Sequence, residues 1–155
     1  MEFLAGLHSK VIHFPIACFV LYTLFEIAGT VLDKKNLSTT AYILLVIGVF
    51  SCVAAVLTGN QAHEVAEKLI DKGISIPTDL INEHEQYATI TLWYFFFLLV
   101  VRTISIIKKR FTKSVQLGFI LLAMLGCYFL YEAGDHGGKL VYKYGVGTEI
   151  IKNYK

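Results

Sequence analysis

Leu92-Trp93-Tyr94-Phe95-Phe96-Phe97-Leu98-Leu99-Val100-Val101 is an unbroken apolar run. A surface helix of a soluble protein carries polar residues at helical period, and this run leaves no position for one. Extended both ways it becomes Ala88–Ile107, close to the roughly 20 residues with which an α-helix crosses about 30 Å of hydrocarbon. Three further stretches are alike: Val11–Leu32, Ala41–Ala62 and Val115–Ala133, the last reaching the interface through Glu132-Ala133-Gly134. The chain of 155 residues is 55% hydrophobic with mean hydropathy +0.60, well away from soluble composition. The expected fold is therefore all-α, an integral membrane four-helix bundle forming one domain over residues 1–155.

Met1-Glu2-Phe3-Leu4 lacks the basic start of a secretion signal and the apolar run after it is too long for one, so it reads as a retained first span. The net charge of +2, with no basic aromatic patch and no Gly-rich phosphate loop, predicts no nucleic acid or nucleotide partner. Cys18, Cys52 and Cys127 all fall inside spans and read as small hydrophobes. Cys-x-x-Cys-His is absent, which excludes a covalent c-type haem on this chain.

The loops Asp33–Thr39 and Lys108–Ser114 are short and basic, and Arg102 can snorkel toward the second. The positive-inside rule sends both to the cytoplasm. A bacterial cytoplasmic (inner) membrane with both termini periplasmic is the expected setting. On the outer side, Gln61–Lys72 keeps a helical pattern until Gly73, and Pro77-Thr78-Asp79 opens the next helix. The second and third helices are thus expected to extend outside the membrane as a hairpin turning near residues 74–76. Pro15 starts or kinks the first helix, after a short interfacial segment at 3–7. The Gly- and Tyr-rich tail from 137 to 155 reads as an irregular outer cover. Glu26 reads as snorkelling or as pairing with a basic loop residue, with a proton-relay role as the sharper alternative. No internal repeat is evident.

All five histidines, His8, His13, His63, His84 and His136, fall at the outer end of these spans. His13, His63, His84 and His136 lie about 29–35 Å from the inner helix ends at 1.5 Å per residue. A histidine at the edge of hydrocarbon is costly without a partner, so a layer of them suggests a bound centre. His63 and His84 flank the hairpin turn at nearly matching height, and Gly59 and Ala88, one turn inward, leave space for a flat ligand or for tight helix packing. Bis-histidine haem b needs two imidazoles; zinc or copper needs three or four converging ligands. The di-iron Glu-x-x-His motif is absent. The bland alternative is interfacial histidines bonded to water or carboxylates, and Glu83, Glu85, Glu132 and Asp135 stand close enough in sequence to orient them. The candidate haem or metal ligands are His63 with His84 or His13, then His136. His8, further out, has a lesser expected role.

Val11-Ile12-His13-Phe14-Pro15-Ile16-Ala17, Thr58-Gly59, His63-Glu64-Val65-Ala66, His84-Glu85 and Gly137-Gly138-Lys139-Leu140-Val141-Tyr142-Lys143-Tyr144-Gly145-Val146-Gly147 resemble the bacterial four-helix membrane domain of unknown function, family 2231, across nearly the whole chain. The resemblance implies a bacterial membrane protein that keeps company with periplasmic c-type cytochromes, which favours haem and electron transfer over transport. The expected function is a membrane-bound, cytochrome b-like electron-transfer subunit rather than a stand-alone enzyme, one subunit of a larger membrane complex. It would exchange electrons with quinol or a c-type cytochrome, with Glu64 or Glu85 as a base if quinol reacts. The alternative is a non-redox or metal-ion-binding membrane subunit using the same histidines. The topology is checked by cysteine labelling: a cysteine at Asn36 should resist a membrane-impermeant reagent applied from the periplasm, and one at Asn153 should react with it.

Overall fold

The computed structural model describes residues 2–148, with side chains from residue 5 onward. It is helical, with no strand among the described residues: α1 (Glu2–Val11), α2 (His13–Val31), α3 (Lys35–Asp71), α4 (Thr78–Ile107) and α5 (Lys113–Tyr142). Four segments are long and apolar enough to cross a membrane, α1 and α2 together counting as the first. Only 33%, 33%, 22% and 17% of their most apolar windows is covered by protein, so most of that surface faces lipid. Phe14, Phe50, Trp93, Phe97 and Leu121 are accordingly exposed. The 37 residues of α3 rise about 55 Å, far more than the hydrocarbon thickness, so α3 and the helices packed on it project beyond the membrane.

Helix ends follow local chemistry. Asp71 closes α3 in a Schellman motif: Gly73, at φ +88°, donates to the Ile70 carbonyl at 2.8 Å and Ile74 to that of Leu69 at 3.1 Å. Asp33 (φ 52°) and Lys109 (φ 53°) take the same left-handed position after α2 and α4. Pro15 kinks the first span rather than starting it. Its missing N–H leaves the Val11 carbonyl without a helical donor, and Ile12, still helical at φ −58° and ψ −27°, marks the bend between α1 and α2. The expected irregular tail is corrected in its first part: α5 runs through Gly137 and Gly138 to Tyr142. Residues 149–155 lie outside the described ones.

In the bundle α2 packs on α3 and α5, α4 packs on α3 and α5, and α1 lies on α3. Across the centre, α2 and α4 meet through long side chains. Phe19 and Phe95 stack at 3.8 Å between centroids with planes 5° apart. Each ring lies over a glycine of the neighbouring helix: a Cβ at Gly48 would fall 2.6 Å from Phe19, and one at Gly126 2.6 Å from Phe95.

This arrangement is an internal repeat. Adding 76 to 8, 19, 26 and 33 gives His84, Phe95, Arg102 and Lys109; adding 78 to 48, 55 and 59 gives Gly126, Ala133 and Gly137. Each of these pairs occupies matching places in two helical hairpins, α1/α2–α3 and α4–α5. The two hairpins run in the same direction, as in parallel membrane repeats. The expectation of no repeat is thereby corrected. Most matched positions carry different side chains, and the link between α4 and α5 is two residues longer than that between α2 and α3, so the signal is lost in linear comparison.

Glu26 and Arg102 also meet across the centre, where sequence reading had both reaching for the loops. Arg102 Nη1 donates to Glu26 Oε2, and Nη2 donates to the Ser38 carbonyl at 2.9 Å and hydroxyl at 3.1 Å. Both charged side chains are 0% exposed. The guanidinium lies 4.8 Å from the Phe111 ring centre and 5.5 Å from that of Tyr22, adding cation–π attraction in a dry site. Gly29 allows the approach, since a Cβ there would lie 2.9 Å from the Ser38 backbone nitrogen. Removing one member of a buried pair strands the other charge, which costs about 3–5 kcal/mol. Glu26→Ala should therefore destabilise the protein by that order in detergent unfolding. Glu26→Leu combined with Arg102→Leu should lose much less.

Candidate functional site

His8 and His84 hold matching places in the two repeats and meet at the end of the bundle away from the basic loops. Their ring centroids are 6.1 Å apart with planes at 72°. His8 comes from α1 and reaches α3, where Nδ1 lies 3.1 Å from the Ala55 carbonyl and 3.2 Å from the Thr58 hydroxyl. His84 comes from α4 and reaches α5, where Nδ1 lies 2.9 Å from the Ala133 carbonyl. A carbonyl only accepts, so Nδ1 carries the hydrogen in both rings. In each neutral imidazole the lone pair is then on Nε2. This is the usual tautomer of a metal-binding histidine, which donates its other N–H to a carbonyl or carboxylate.

Glycine makes both placements possible. A Cβ at Gly59 would lie 3.1 Å from His8 Cε1, and one at Gly137 2.8 Å from His84 Cε1. Each imidazole sits against bare backbone with Cε1 nearest, one turn beyond the carbonyl it bonds. The space over Gly59, expected to admit a macrocycle beside Ala88, is taken by the His8 ring. His8, given the lesser role from sequence, is the histidine that packs beside His84.

The remaining histidines are engaged differently. His63 lies 2.9 Å from Glu85 through Nδ1 and 3.5 Å from Glu67 through Nε2. Its partner on α4 is thus the neighbour of His84, not His84 itself. His136 Nδ1 is 2.6 Å from the Glu132 carbonyl, Nε2 is 3.2 Å from Glu83, and the ring stacks on Tyr87 at 5.4 Å. These two histidines tie α3 and α5 to α4 through carboxylates and have no free ring nitrogen. His13 is exposed on α2 just past the bend. Ala88 is half-buried on α4, one turn from His84. Among the described residues, no three His, Cys, Asp or Glu side chains gather as a metal-binding set.

Sequence reading brought the histidine layer to one level but not to this pairing. The signal that finds it is spacing: His8 to Glu26 and His84 to Arg102 both span 18 positions, five full helical turns. Each histidine therefore shares a helix face with a charged residue that has to point inward.

Residues 5–150 match the model of the family described as "Predicted membrane protein (DUF2231)", and the chain belongs to that family. No curated protein and no solved structure shows significant similarity to it.

The ring-on-glycine packing is tested by paired substitutions on α5. Gly137→Ala should lower the unfolding temperature by pushing His84 aside. Gly134→Ala, with nothing within 4 Å of the added Cβ, should be neutral or gain up to about 1 kcal/mol of helix propensity. Equal effects would exclude the packing.

Proposed function

We propose that this membrane protein, as a member of that family, is a b-type cytochrome-like electron-transfer subunit whose haem b is ligated by His8 and His84. The observation that carries the reading is the matched pair: two imidazoles from two repeats, each with Nδ1 held on a main-chain carbonyl and Nε2 left free. The two rings lie 6.1 Å apart between centroids, and their Nε2 atoms would hold the iron of a haem bound between them. A haem iron needs only two protein ligands because the macrocycle supplies the rest. Zinc or copper sites call for three or four, which favours haem over an ion held by protein alone.

Haem supplies one-electron chemistry when bound. The chain's own groups orient the two imidazoles and tie three helices around them through His63–Glu85 and His136–Glu83. Glu85, half-buried between His84 and His63, is the base for a proton released by a quinol; Glu64 is exposed to solvent on α3. The basic loops favour a cytoplasmic position in a bacterial inner membrane, which puts the histidines and both termini on the periplasmic side. There the electron partner is a c-type cytochrome or a quinol-oxidising subunit of a larger complex. One centre at one end does not carry electrons across the bilayer, so the subunit passes them along a single face.

A second reading rests on His63 and His136. Their carboxylate partners account for both histidines as interhelical ties, as a non-redox subunit would use them. Reduced-minus-oxidised spectra of protein purified after haem-replete expression separate the two readings. The wild type should give a low-spin bis-imidazole spectrum. His8→Ala and His84→Ala should each lose the haem or leave it five-coordinate, and His13→Ala should keep it. Absence of a Soret band from the wild type would sink the cytochrome reading.

A further inference from the structure

The links inside the two hairpins carry an unanswered charge. Residues 31–40 and 106–117 hold six cations, Lys34, Lys35, Lys108, Lys109, Arg110 and Lys113, against one carboxylate, Asp33. All six are exposed, and among the described residues none of them enters an ion pair. The parallel hairpins bring both links to one end of the bundle, and Arg102 joins them: it donates to Ser38 near the first and lies over Phe111 in the second. Like charges gathered at one end repel unless counter-charges collect there. The helix ends add to the same field. α3 opens at Lys35 and α5 at Lys113, where a helix favours acidic residues, yet neither has an acid in its first turn or a side-chain cap on its N–H groups.

Exposed hydrocarbon ends directly beside these cations: Val31 is 70% exposed, Leu32 57% and Ile107 73%. Such side chains at the end of a membrane span lie among acyl chains, which puts the neighbouring cations at the level of the lipid headgroups. Clusters of about four to eight Lys and Arg at that level attract anionic lipid. We propose that the two links form one binding face for anionic phospholipid headgroups in the leaflet where they lie. The Lys and Arg side chains reach the phosphate oxygens on flexible stems, and the uncapped helix N-termini favour the same anions. Lipid fits this face better than a free anion does, because the apolar surface of Val31, Leu32 and Ile107 takes the acyl chains while the cations take the head. The one aromatic of the two links, Phe111, is half-buried against Phe119, so no ring is offered for stacking on a nucleic-acid base. The face is independent of the histidine pair and of any haem there.

Spin-labelled lipids read the face directly, because lipid held against protein gives a motionally restricted electron paramagnetic resonance component. In phosphatidylcholine vesicles the wild type should select spin-labelled phosphatidylglycerol over spin-labelled phosphatidylcholine several-fold, less so as sodium chloride screens the charges. Changing all six cations to Gln should bring the ratio close to one. Lys34→Gln/Lys35→Gln and Lys108→Gln/Lys109→Gln/Arg110→Gln should each lose part of the selectivity, and they carry the test if the sixfold variant does not fold. Lys68→Gln/Lys72→Gln, which removes two exposed lysines near the other end, should leave it unchanged. Equal restriction of both lipids by the wild type overturns the proposal. So does selectivity that the folded loop variants retain, or that Lys68→Gln/Lys72→Gln lowers as far. Selectivity abolished by sodium phosphate, but not by sodium chloride of equal ionic strength, assigns the face to a free anion and overturns the proposal too.

Discussion

A buried ion pair between Glu26 and Arg102 governs how this bundle is put together. Two charges in hydrocarbon are tolerable only when paired and hydrogen-bonded, so α2 and α4 must turn these faces toward each other. That single requirement fixes the rotation of both helices. Phe19 lies seven positions before Glu26, and Phe95 seven before Arg102. Both rings come to the centre and stack there. Eleven positions earlier again on each helix stand His8 and His84. The ion pair at one end thus sets the histidine pair at the other, about 27 Å away along five helical turns.

The outer helices of each hairpin, α3 and α5, serve this axis with glycine and carbonyl groups. Gly48 and Gly126 accept the phenylalanine rings, and Gly59 and Gly137 accept the imidazoles. In each case a flat ring lies on backbone where a methyl group would intrude, so these glycines are needed for space rather than for backbone freedom. The repeat is imperfect where the chemistry differs. Opposite charges at positions 26 and 102 let the two hairpins attract each other, whereas two like charges there would repel. Thr58 and His136, also equivalent under the repeat, give one histidine a hydroxyl neighbour and the other an imidazole neighbour. The two sides of the central pair are consequently alike in side chain and unlike in surroundings.

Much of the candidate site was legible as a level and illegible as a pairing. Counting residues from the helix ends shows how far along each helix a side chain lies. It does not show which way the side chain points. His63 and His84 match in height across the hairpin turn, yet His63 is held by Glu85 and Glu67 while His84 turns to Ala133. His8 stands five residues out from His13, yet counted from Glu26 it is level with His84 counted from Arg102. With α1 packed on α3, its ring lies over Gly59. Glu26 and Arg102 can be matched by the same counting, since each lies five residues before the end of its helix, Val31 and Ile107, but a snorkelling side chain satisfies the local reading of each.

Sequence alone determined the four spans, the Gly73–Pro77 turn and the membrane setting, because those follow from length, hydropathy and local backbone preference. They need no knowledge of any neighbour. Tertiary structure alone decided the repeat, the Glu26–Arg102 pair, and the placement of His8 beside His84 rather than His63. Those depend on helix rotation about its axis, which is set where side chains from distant parts of the chain have to exclude lipid and satisfy one another's charges and hydrogen bonds.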